Sequence, residues 1–357
     1  MKKLNLAIIG QGRSGLQIHG AYYLSDKNKY YNVKYVVEAD EERRKRAEKT
    51  YEGCIALSDY TQLFDKKDVD IVVNASYSDD HYPISKALVE HGFNVMSEKP
   101  FAASRYECDD IISAAKKKGV FFTVFHQTLY TPYNKHVKKV INDKTIGDIA
   151  EISVRFNNFS RRWDWQTLQK RLAGGVFNTG PHPICVALDA IDYDKDAEVV
   201  YSKLLSSPLT SGDSDDYCKI IIKAPNKPVV DIEISSLDAY SDYNVKLQGT
   251  LGTFKCTPKS YSMKYIVPGE NPERPLIEES LKDENGEPLY CSEKLIFHEE
   301  SGNYDGDAFT IGTPTLYEDL YYALTKKREM YSTAEKAREV VSVIEAVHAL
   351  NHLEKKF

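Results

Sequence analysis

Three glycines carry the first chemistry legible in this chain. Gly10, Gly12 and Gly15, spaced as GQGRSG, follow the apolar run Leu4–Ile9 and precede Leu16–Leu24, which holds no proline. That order predicts strand, glycine turn and helix. The first glycine turns the chain, the second lets the backbone approach a pyrophosphate, and the third lets helix pack on strand. Arg13 and Ser14 fall in the same turn and are expected with the glycines at a dinucleotide, whose anionic centre suits the unpaired N–H groups of the helix start. Glu38 ends the next β-branched run, Val33–Val37, where a carboxylate accepts hydrogen bonds from both adenosine ribose hydroxyls. NAD is therefore expected over NADP, although Arg43 and Arg44 stand close enough in sequence to meet a 2′-phosphate. Their simpler reading is a solvated helix face within EERRKRAEK.

These residues need a scaffold that brings strand ends together. Asp70–Asn74, Asn94–Ser97 and Val120–Phe125 read as further strands, separated by helices over Pro83–His91 and Ser104–Lys118. The alternation predicts a doubly wound parallel sheet of Rossmann type. Ligands of such sheets bind beyond the carboxyl ends of the strands, so Glu38, Ser76, Glu98, Lys99 and His126 are expected at one crevice, with His81 shaping the cofactor loop.

Composition narrows the possibilities. The 357 residues carry 47 basic and 53 acidic side chains, a net charge of −6, which disfavours a nucleic-acid partner. The length suits two domains, here expected over 1–127 and 128–357. No apolar run reaches membrane-span length, and Lys2 and Lys3 lead into an apolar stretch too short for a signal-peptide core, so a cytoplasmic protein is expected. The six cysteines are at least 33 residues apart, with no zinc spacing, and read as reduced thiols with no metal site. Glu270–Pro288 is acidic and proline-containing and reads as a surface loop.

The second half alternates as strands over Ala150–Phe156, Glu198–Leu204, Cys218–Lys223, Val229–Ile234, Asn244–Gln248 and Thr253–Thr257. Two helices follow, one from Thr313-Pro314 through Leu324 and one from Thr333 to about Leu353. Glu98-Lys99-Pro100 after the strand Asn94–Ser97, together with GQGRSG, Gly147-Asp148-Ile149, AGGVFNTGPHP at Ala173–Pro183 and VKLQGTLGTFKCT at Val245–Thr257, resembles the glucose-fructose oxidoreductase and inositol dehydrogenase (Gfo/Idh/MocA) family over nearly the whole chain. The resemblance implies an amino-terminal Rossmann domain and a carboxyl-terminal α+β domain on a large, mainly antiparallel open sheet, whose free face makes a homodimer or homotetramer.

It also implies chemistry. Members move hydride between an alcohol carbon and nicotinamide with the EKP lysine and a histidine in a DxxxH element, here Lys99 and His182. An alcohol of pKa about 15.7 lies roughly nine units above neutrality, or about 12 kcal/mol. A general base offers about 3 to 5 kcal/mol of this, so Lys99 is expected to stabilise the developing alkoxide while His182 accepts the proton. Asn178 stands where the family has aspartate. An amide relays no proton, which makes Asn178 an expected substrate-binding residue beside His126 and Trp163. Trp163 lies in the loop Arg161-Arg162-Trp163-Asp164-Trp165, suited to a sugar or cyclitol ring.

The expected activity is an NAD(H)-dependent dehydrogenase acting on a secondary hydroxyl of a sugar, glycoside or inositol. Two alternatives remain open: NAD-dependent glycoside cleavage by oxidation and elimination, and a non-catalytic dinucleotide sensor.

Overall fold

The computed structural model describes residues 2–357. Its first half is a six-stranded parallel sheet of β1 (Leu4–Ile9), β2 (Tyr31–Val37), β3 (Ile55–Leu57), β4 (Ile71–Asn74), β5 (Val95–Ser97) and β6 (Phe122–Val124), ordered β3-β2-β1-β4-β5-β6. Apolar side chains fill both faces of β1 and β4, as a sheet covered on each side by helices requires. Ile9 lies level with Val37 on one side and Asn74 on the other, so the strands end together at the point where the order reverses. A crevice opens there in doubly wound sheets.

The helix after β1 begins earlier than the apolar pattern indicates. A π-helical stretch runs over Arg13–Gly20 and continues as α1 (Ala21–Leu24). The other helices of this half are α2 (Glu41–Thr50), α3 (His81–Glu90) and α4 (Arg105–Lys118). Ser104 caps α4 by accepting from the Glu107 N–H, and Gly119 ends it in the left-handed conformation.

The second half contributes α5 (Pro132–Asp143), β7 (Ile149–Asn157), the short α6 (Gly175–Asn178), α7 (Pro181–Ala190) and β8 (Glu198–Leu205). There follow β9 (Tyr217–Lys223), β10 (Val229–Ser235), β11 (Val245–Gly249), β12 (Gly252–Cys256), β13 (Ser260–Tyr265) and β14 (His298–Asn303). Its eight strands run in the order β14-β13-β12-β11-β7-β10-β9-β8, antiparallel except for β7 beside β10. One face buries Ile152, Val154, Ile220, Ile232 and Leu247, with α7 packed on β7 and β10. The other face carries Arg155, Lys219, Asp231 and Glu233 as an ion-paired cluster.

Two helices from the end of the chain tie the halves together. Tyr317 of α8 (Thr313–Lys326) stacks on Tyr22 and accepts a hydrogen bond from Tyr23. Ala334, Ala337 and Val341 of α9 (Ala334–Leu350) join a core on one face of the parallel sheet, while Ile344 and Val347 join the core that runs from its other face into the eight-stranded sheet. The segment between β13 and β14 is irregular and mostly exposed, as its composition indicates. Among the described residues no helix is long and apolar enough to cross a membrane, and all six cysteines are free, five of them buried.

Candidate active site

A cleft of about 720 Å³ opens at the carboxyl ends of β1, β2, β4 and β5 and is closed on its far side by the second half of the chain. Gly10, Gly12, Arg13, Ser14, Glu38, Ser76, Glu98, Lys99, Asn178 and His182 all line it.

The glycine turn divides its tasks as elementary sterics demand. Gly10 has φ +90°, and a Cβ there would sit 2.4 Å from the Ala75 carbonyl oxygen. At Gly15 a Cβ would lie 1.9 Å from the Gly10 oxygen, so this glycine packs helix on strand and does not line the cleft. At Gly12 a Cβ would meet nothing within 4 Å, leaving open space over the start of the helix. A pyrophosphate fits there, against unpaired helical N–H groups. Glu38 accepts from the Gln11 N–H at 2.8 Å and the Asp40 N–H at 3.1 Å, with Arg43 at 3.7 Å. Two carboxylate oxygens have capacity beyond those bonds, enough for ribose hydroxyls. Arg44 turns away and donates to the carbonyls of Glu38 and Ala39.

Deeper in the cleft lies a charged pair in sequence, Glu98 and Lys99. Glu98 is 4% exposed; its carboxylate takes a hydrogen bond from His19 Nε2 at 3.1 Å and from the Lys99 N–H at 3.1 Å. Burial raises this carboxyl, but the His19 hydrogen bond and the nearby charges outweigh it and hold it at about 2. His19 is fixed in turn, because Tyr23 donates to Tyr317 and Tyr317 stands 2.7 Å from His19 Nδ1. Lys99 Nζ donates to the Asn178 carbonyl at 2.6 Å. Burial lowers its pKa; the charge of Glu98 works against this, while Arg162 and Arg13 add to it.

His182 begins near the N-terminus of α7, where Pro181 sets the first turn. Its Nδ1 is 2.7 Å from the Thr128 hydroxyl and its ring lies nearly parallel to Phe156. Burial, then the neighbouring Lys99 and His126, push its pKa well below the usual histidine value. Asn178 donates through Nδ2 to the Gln166 carbonyl at 2.9 Å, holding the loop that walls the cleft.

Other expected residues lie elsewhere. Trp163 points outward, 78% exposed and outside the cleft; its neighbour Trp165 lines it instead, edge-on to Tyr77. His126 is buried behind the lining, and burial brings its pKa down to about 4. His81 is also buried, bonded to the carbonyls of Pro100 and Ser76, and so braces the loop that carries Ser76. Sequence reasoning did not reach Thr128, His19, Gln166 or Asp215. Asp215, 3% exposed, accepts from the Val176 N–H at 2.8 Å and anchors α6 below Asn178.

This constellation has relatives. Residues 4–126 match the family described as "Oxidoreductase family, NAD-binding Rossmann fold", and residues 134–255 match the GFO/IDH/MocA C-terminal domain. The chain belongs to the Gfo/Idh/MocA oxidoreductases, and its first half is an NAD(P)-binding Rossmann domain. It is 24% identical over 259 residues to the 2,7-anhydro-N-acetylneuraminate hydratase of Mediterraneibacter gnavus, covering 71% of this chain and 67% of that protein. It is 24% identical over 183 residues to the scyllo-inositol 2-dehydrogenase (NADP(+)) of Bacillus subtilis, covering 51% and 50%. In fold it is similar to a 3-ketoreductase of Actinomadura kijaniata solved with NADP and TDP-benzene, with TM-score 0.78, 15% identity and 98% of each chain covered. An NAD-binding protein from Listeria innocua is similar at TM-score 0.75 and 20% identity, covering 98% of this chain and 96% of the other.

Proposed function

We propose that this oxidoreductase moves hydride between a secondary hydroxyl of a sugar, glycoside or inositol and the nicotinamide of NAD(H). The observation that carries the reading is the pair Lys99 and His182, one from each half of the chain, lining one cleft beside the glycine turn. Bound NAD supplies a two-electron hydride acceptor. Gly10, Gly12, Arg13, Ser14 and Glu38 would hold it, with Ser76 beside them; Glu38 favours NAD, because a 2′-phosphate would meet its negative charge. Lys99 meets the substrate oxygen, where charge develops as hydride leaves. Trp165, Arg162, Gln166 and Asn178 form the far wall, a mixture of ring face and hydrogen-bonding groups suited to a polyol.

The names of the two sequence relatives point the same way, toward an inositol and a sialic-acid anhydride. The hydratase among them favours a second reading, in which a ring carbon is oxidised transiently, a neighbouring substituent leaves, and the hydride returns. The buried thiols fit a reducing cytoplasmic setting, and the charged open face of the eight-stranded sheet would pair two copies of the chain. The test is a panel of sugars, glycosides and inositols incubated with NAD⁺ or NADP⁺. Accumulation of reduced nicotinamide with at least one polyol, and preferentially from NAD⁺, is expected. Product release without net reduction would select the elimination cycle. Cofactor binding with no turnover of any polyol would overturn both.

A further inference from the structure

Thr128 lies in the turn Gln127–Tyr130 that follows β6, and it is 5% exposed. Its hydroxyl stands 2.7 Å from His182 Nδ1 and makes no other hydrogen bond among the described residues. This single contact discriminates between the two neutral forms of the imidazole. With the hydrogen on Nδ1, the ring would donate to Thr128 and leave the buried hydroxyl hydrogen without an acceptor. With Nδ1 bare, the hydroxyl donates to it and both groups are satisfied. Burial disfavours the imidazolium, and of the groups facing the ring only Glu98 favours it. Nε2 has no partner among the described residues, and His182 lines the cleft.

We infer that Thr128 holds His182 as the neutral imidazole with its hydrogen on Nε2, so that His182 meets the substrate oxygen as a hydrogen-bond donor and leaves proton exchange to Lys99. The inference rests on the dehydrogenase reading for its chemical meaning. In the oxidative direction the carbinol C–H bond breaks and its hydrogen leaves with the electron pair to bound nicotinamide. The O–H proton passes to the neutral Lys99 amine, giving the ammonium, and the carbonyl forms while Nε2–H stays on the ring. As the neutral amine, Lys99 keeps its hydrogen bond to the Asn178 carbonyl and has a lone pair free. A neutral imidazole polarising a carbonyl by donation is an established arrangement in enzymes. Thr128 is then a positioning residue, acting through His182.

The test is nitrogen NMR of the full chain labelled with ¹⁵N-histidine, from about pH 6 to 8, with the His182 signals assigned by their loss in His182→Gln. A proton-bearing Nε2 and a bare Nδ1 are expected in the wild type and in Thr128→Ser. Thr128→Val is expected to mix or exchange the two forms. An Nδ1–H form or an imidazolium at pH 7 in the wild type would overturn the inference, as would unchanged signals in Thr128→Val. If the valine variant fails to fold, the wild-type tautomer alone decides. Turnover gives a second readout, because glutamine at 182 can donate but cannot take a proton. The expected loss is about tenfold or less, as for one hydrogen bond, whereas loss of a general base would cost about 10²- to 10⁴-fold. The tautomer is read without substrate, so failure of polyol oxidation and failure of the Thr128 assignment are separate results.

Discussion

Replacing Glu98 by glutamine removes a buried charge while keeping the side chain's shape. The carboxylate accepts from two donors, His19 Nε2 and the Lys99 N–H. A glutamine has one oxygen for them and must present its NH₂ to the other, setting donor against donor. The magnitude follows from the carboxyl's depression from 4.5 to about 2 in the folded chain. At 1.36 kcal/mol per pKa unit, the ionised form contributes about 3 kcal/mol to folding. Because the folded pKa is lowered, that contribution is complete above the unfolded value and disappears as pH falls from about 4.5 to about 2. Denaturant unfolding at a series of pH values should therefore show Glu98→Gln less stable by about 3 kcal/mol at neutral pH, with the gap closing below about pH 4.5. A gap independent of pH would refute the reasoning, because it would mean that packing and not ionisation makes Glu98 matter.

Five further substitutions separate the parts of the site. Gly15→Ala should lower stability by about 3 kcal/mol, since its Cβ meets backbone, whereas Gly12→Ala should keep the thermal midpoint and weaken cofactor binding as measured by calorimetry. Asp215 behaves oppositely to Glu98: burial raises its carboxyl from 3.8 to about 7, so its ionisation costs stability as pH rises between those values. Asp215→Asn should gain on the wild type over that interval, to about 4 kcal/mol above pH 7; parallel unfolding curves would contradict this. Trp165→Ala should raise the KM for polyol, and Trp163→Ala, exposed and outside the cleft, should leave it unchanged.

The parallel-sheet half was legible because its strands are short, apolar on both faces and separated by helices. The glycine turn and Glu38 could be placed from spacing alone. Other elements carry no such signal. The three residues of β3 are too few for a periodic pattern, and β14, His298–Asn303, is a polar edge strand whose partner lies beyond a long irregular segment. The supporting residues that were missed depend on contacts between distant parts of the chain. Thr128 meets His182 across 54 residues, and His19 meets Glu98 across 79. Nothing local in either residue announces its partner. Trp163 and Trp165 differ by two positions in an irregular loop, where no helical or strand period decides which ring faces inward.

The claim on which the account turns is that Lys99 acts on the substrate oxygen next to bound cofactor. Lys99→Met removes the amine while keeping much of its length. With a polyol identified by the panel, formation of reduced nicotinamide should fall by at least about 10²-fold, the scale of losing one preorganised group at the reacting oxygen, with the cofactor dissociation constant unchanged. Hydride transfer at the wild-type rate in that variant would contradict the account.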